Sequence, residues 1–121
     1  MAFGVVITVM LGLRTVTRNV DWLSEERLFL HDGKVATQSV MAQSNMAAIL
    51  LLSKRNDEAK EILTRAEAIY PTYPELMNNW GMYYWWTGNE EEARVRFERC
   101  LEVHRGNVLC GSNLEGLKGV K

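Results

Sequence analysis

Three residues late in the chain, Cys100, His104 and Cys110, are of types that ligate metal ions or act as nucleophile and base. A structural zinc site takes four ligands, and the only other histidine is His31, so the set is incomplete. Cys100 also falls at a position where small side chains recur, which makes it a packing residue. The acid run Glu90 to Glu92 has the form of a paired-carboxylate site, but acids are stabilised by the amide dipoles of a first helical turn, and that is the better reading. The asparagines are more informative. Asn45, Asn79 and Asn113 stand 34 residues apart, each two residues before the same point of a repeated pattern. A side-chain amide both donates and accepts, so it can pair with any peptide bond whatever the client's side chains. Three on one face would form a ladder suited to an extended chain.

The elements that position these residues follow from an internal repeat. "NDEAKEILTRAEAIYP" (56–71) aligns with "EEEARVRFERCLEVHR" (90–105), placing Ala59 over Ala93, Leu63 over Phe97 and Ala66 over Cys100. Met46, Ala47 and Leu50 match Trp80, Gly81 and Tyr84 at the same offset of 34. Small residues recur because two helices approach closely only where one offers no bulk, as Gly81 and Ala93 or Ala47 and Ala59 would. Pro71 and Pro74 bracket a turn, and Gly88-Asn89 ends one helix and caps the next. Asn56-Asp57-Glu58 is expected to do the same in the preceding unit.

A 34-residue period of two amphipathic helices resembles the tetratricopeptide repeat. The fold class expected is all-α, a helical-hairpin solenoid with a short apolar N-terminal helix. Its divisions are an apolar segment (1–18), a degenerate half-repeat (19–39), two full repeats (40–73 and 74–107) and a partial third (108–121). The last carries Gly111, Gly116 and Gly119, which should weaken it as a helix. Two full repeats flanked by half-repeats fall short of the roughly three full ones a solenoid usually needs, so the chain reads as a fragment or leans on a partner.

Bulk properties exclude several classes. A net charge of −1 and the absence of basic runs among aromatics leave no nucleic-acid partner. Two cysteines exclude a disulfide-stapled scaffold and leave the redox compartment open. Ala2 to Leu13 carries no charge but is shorter than the roughly 20 residues a spanning helix needs. It reads as the second half of a truncated membrane helix, or as an apolar helix packed on the next element.

The joint after it, "LGLRTVTRNVDWLSEERLF", resembles the transmembrane and tetratricopeptide-repeat-containing family, with Arg18, Asn19, Trp22, Glu25, Leu28 and Phe29 at the matching places. Those proteins are similar to protein O-mannosyltransferases of the endoplasmic reticulum membrane. The resemblance implies lumenal repeats, although Arg14 and Arg18 would by charge favour the cytoplasmic side. It also implies a chain without the catalytic half, with no catalytic, cofactor or metal residues of its own. The alternative is a free-standing adaptor unrelated to glycosylation. On either reading the partner is a protein or extended peptide held by Asn45, Asn79, Asn113, Met82, Trp85 and Trp86, an arrangement that resembles the asparagine ladder of other glycosyltransferase-associated arrays.

Overall fold

The computed structural model describes residues 24–119, so the apolar N-terminal segment and the junction residues Arg18, Asn19 and Trp22 lie outside the described residues. Six helices follow one another with short turns: α1 Glu25–Val35, α2 Val40–Leu52, α3 Asn56–Ile69, α4 Pro74–Trp86, α5 Glu90–Val103 and α6 Val108–Gly119. No strand interrupts them among the described residues. The starts of α2, α4 and α6 repeat at the 34-residue period. Their beginnings are fixed by local chemistry. The side chains of Ser24, Ser39, Asn89 and Asn107 each accept a hydrogen bond from a backbone N–H of the first turn, at 3.1, 3.3, 3.2 and 3.0 Å. Pro74 opens α4, where a missing N–H costs nothing.

The turn before α3 differs from expectation. Arg55, not Asn56, occupies the cap position and makes no side-chain cap bond; its guanidinium grips Glu58 instead, at 2.6 and 2.7 Å. Lys54 stands 34 residues before Gly88 and takes the same left-handed backbone, φ 59° against 86°. Only glycine does so without a steric penalty.

Packing pairs α2 with α3 and α4 with α5 as hairpins, and α1 and α6 close the two ends. Ala47, Ala59 and Leu63 are completely buried in the first hairpin, and Ala93, Phe97 and Cys100 in the second. The close approach demanded of Gly81 is present: a methyl group there would overlap the Phe97 ring. Gly33 meets Met46 in the same way where α1 crosses α2, and Gln43 Nε2 donates to the Gly33 carbonyl at 2.6 Å beside it.

Helices α2, α4 and α6 touch one another in sequence, whereas α3 and α5 make no backbone-level contact. The stack therefore curves with α2, α4 and α6 on its inner face. Across the outer gap, Arg96 of α5 reaches Glu67 of α3 at 2.8 Å while its guanidinium lies 5.2 Å from the centre of the Trp80 ring. Burial disfavours the charged guanidinium, but the Glu67 hydrogen bond and charge outweigh it and raise the Arg96 pKa.

The partial third repeat forms a helix of 12 residues despite its glycines. Two features account for it. The Trp85 ring closes over Gly116, at 3.0 Å from where a Cβ would stand. Cys100 and Cys110 form a disulfide that ties α6 to α5. The two-cysteine count thus conceals one staple, and Cys100 is both a fully buried packing residue and half of a cross-link. At the positions where α4 offers Gly81 and Tyr84 to its hairpin partner, α6 carries Glu115 and Lys118, which pair in solvent at 2.8 Å.

Candidate functional site

The inner face is built from the middle and end of each inner helix. In α4 the sequence "NNWGMYYWW" turns Trp80, Gly81 and Tyr84 toward the core and leaves Asn78, Asn79, Met82 and Trp86 on the other side. Together with Ala48, Leu51 and Leu52 of α2 and Asn113 of α6 they line a shallow groove of about 160 Å³. A wider depression of about 540 Å³ adjoins it at the ends of α2 and α4, lined by Leu51, Leu52, Lys54, Asn56 and Trp86. Leu52 and Trp86, shared by both, are 69% and 44% exposed, unusual for side chains of that size inside a folded array.

Of the three asparagines expected to form a ladder, Asn79 and Asn113 line this groove and Asn45 is not among its lining residues; the two that line it also hold the array together. Asn79 is buried and donates from Nδ2 to the Ser44 carbonyl of α2 at 2.8 Å. Asn113 donates from Nδ2 to Asn78 Oδ1 of α4 at 2.7 Å. Each reaches back 35 residues, one more than the repeat, so the bonds form a regular stitch between successive inner helices. Asn78, which stands outside the 34-residue asparagine series, is buried and belongs to the stitch. Asn45 lies half-buried on α2.

Met82 and Trp86 line the groove. Trp85 is not with them: its ring lies edge-on to Phe97, 6.4 Å between centroids, and packs toward α6. Adjacent helical residues are about 100° apart, and here that offset sends Trp85 toward Phe97 and α6 while Trp86 stays on the groove. Leu52 escaped the sequence reading although its 34-residue spacing to Trp86 is the signal that would have found it. The Cys100, His104 and Cys110 constellation does not assemble. The two sulfurs are bonded to each other, and His104 Nε2 lies 2.5 Å from the Thr72 carbonyl in the turn between repeats.

Comparisons agree with this architecture. The family model described as Tetratricopeptide repeat matches residues 75–106. No curated protein matches the chain, so the resemblance to the transmembrane family stands on the junction motif alone. Among solved structures, the first repeat domain of Spaghetti (RPAP3) bound to the HSP90 peptide SRMEEVD superposes with a TM-score of 0.66 at 17% identity, covering 88% of this chain and 84% of that one. The second repeat domain of human RPAP3, in complex with the HSP70 peptide SGPTIEEVD, gives 0.64 at 20% identity over 88% of each chain. The first domain of human RPAP3 gives 0.67 at 17% identity, covering 88% and 84%. Helix phase, hairpin packing and superposition converge on an all-α fold of repeated helical hairpins, in which residues 75–106 match the tetratricopeptide repeat.

Proposed function

We propose that the chain is a peptide-recognition module that holds an extended protein segment along the inner face of α2, α4 and α6. The observation that carries this reading is the groove itself, where amides of Asn78, Asn79 and Asn113 lie beside the exposed Leu52 and Trp86. Amides suit the backbone of an extended client, and the apolar pair suits one of its side chains. The structural neighbours that hold peptides in this fold support the reading by analogy of architecture. Site-specific photo-cross-linking tests it. A cross-linker at Ala48, on the groove, should label added peptide, whereas one at Lys60, exposed on the outer helix α3, should not. Equal labelling from both positions, or labelling from Lys60 alone, overturns the reading.

The disulfide favours an oxidising compartment, which agrees with repeats placed in the lumen of the endoplasmic reticulum. Attachment to a membrane through the N-terminal apolar segment, and membership of an O-mannosyltransferase-like protein, rest on the sequence of residues 2–29. Among the described residues no helix is long and apolar enough to cross a membrane. Expression of the chain in intact cells, followed by carbonate extraction and thiol trapping, separates these placements. A membrane-retained, disulfide-bonded product supports the lumenal tether, and a released, reduced one contradicts it.

A further inference from the structure

We infer that the groove selects an uncharged extended segment bearing one apolar side chain, seated between Leu52 and Trp86, and rejects acidic tails. This rests on the peptide-recognition reading above and specifies its client. Charge complementarity carries the argument. Among the described residues, those lining the groove and its adjoining depression are amides and largely apolar side chains, with Lys54 at the rim as their single charged side chain. A carboxylate withdrawn from water needs a cation or several donors to compensate it. A tail with several carboxylates finds one ammonium at most, and an uncharged segment requires none.

The polar atoms point the same way. Asn79 Nδ2 is engaged with the Ser44 carbonyl and Asn78 Oδ1 with Asn113. Among the hydrogen bonds of the described residues, Asn79 Oδ1 and Asn78 Nδ2 are not engaged, and neither is a buried unpaired atom. Two groove-lining amides therefore retain one acceptor and one donor, the pair needed to meet an N–H and a C=O of a client backbone. Specificity then falls to the apolar step. Leu52 and Trp86 occupy equivalent positions of successive inner helices, so a single client side chain can lie between them and cover both. Tryptophan at such a place is the type of residue that dominates binding energy.

The test uses the full chain and an array of short, end-blocked peptides that scan net charge and apolar content, with SRMEEVD carrying a free terminus as the acidic probe. Affinities are measured by titration for the parent chain and for Trp86→Ala and Leu52→Ala, each checked for unchanged helicity. Neutral peptides with a leucine or aromatic residue should bind at least about tenfold tighter than SRMEEVD, and both variants should lose about tenfold or more toward the former. Equal or tighter binding of SRMEEVD would overturn the client class while leaving peptide recognition intact. Binding of neutral peptides that neither variant weakens would overturn the Leu52–Trp86 seat. If no peptide binds and the chain sediments as a dimer that Trp86→Ala dissociates, a second copy covers the patch, and both readings fail.

Discussion

Asn79 distinguishes a stitch from a free ladder rung, and its replacement gives a measurable difference. The side chain is 8% exposed and gives one hydrogen bond of 2.8 Å to the Ser44 carbonyl on the neighbouring inner helix. Asn79→Ala removes that bond, worth about 1 kcal/mol net, and leaves a small void. Ser44 lies inside α2, where its carbonyl keeps its own helical partner, so the orphan penalty is partial. The expected loss is about 1–2 kcal/mol. Asn79→Asp is nearly isosteric but replaces the donor with an oxygen facing that carbonyl, and should cost at least about 3 kcal/mol. Urea unfolding followed by circular dichroism measures both against a total of about 5–15 kcal/mol. A solvated rung behaves as surface, with changes within about 0.5 kcal/mol. If both variants fall inside that range, the stitch does not hold α2 to α4. Binding tests of the ladder with Asn79→Ala must accordingly be read against this loss of stability.

Lys54→Gly should stabilise the chain by about 0.4–1 kcal/mol in the same assay, because Lys54 holds a left-handed backbone that its equivalent Gly88 adopts freely; a loss of stability would refute that. Gly81→Ala should destabilise by about 1–3 kcal/mol through overlap with Phe97, and the cost should shrink in a Phe97→Leu background, a coupling that a double-mutant cycle reads directly. Reducing the Cys100–Cys110 bond, which spans 10 positions, should lower stability by about 2–3 kcal/mol and expose the amides of α6 to hydrogen exchange before those of α2 to α5. Uniform exchange in oxidised and reduced protein would mean that the bond does not hold the last helix.

The fold was legible because a period of 34 fixes everything that depends on sequence phase: the starts of α2, α4 and α6, the small residues at Gly81 and Ala93, and the aromatic and aliphatic core at Phe97 and Leu63. The site was legible only in part. Contacts between repeats run at an offset of 35, and a one-residue slip is set by how inner helices lean on each other, which no single repeat encodes. That is why Asn79 looked like a free amide and Asn78 drew no notice. The disulfide escaped for a similar reason, since it joins residues in different repeats across the turn between α5 and α6. Trp85 and Trp86 part company only in three dimensions, where Phe97 of α5 and Gly116 of α6 give Trp85 something to pack on. Leu52 was passed over because one apolar residue at a helix end is ordinary until its repeat mate Trp86 is found beside it.

Nuclear magnetic resonance on the isotopically labelled chain, titrated with a short neutral peptide carrying a leucine, tests the central claim most directly. Bound peptide should shift the amide signals along α2, α4 and α6, together with the side-chain amides of Asn78 and Asn79 and the indole of Trp86. Signals of α3 and α5 should stay in place. Shifts concentrated on α3 and α5, or no shifts from any peptide at saturating concentration, would contradict an inner-face binding site.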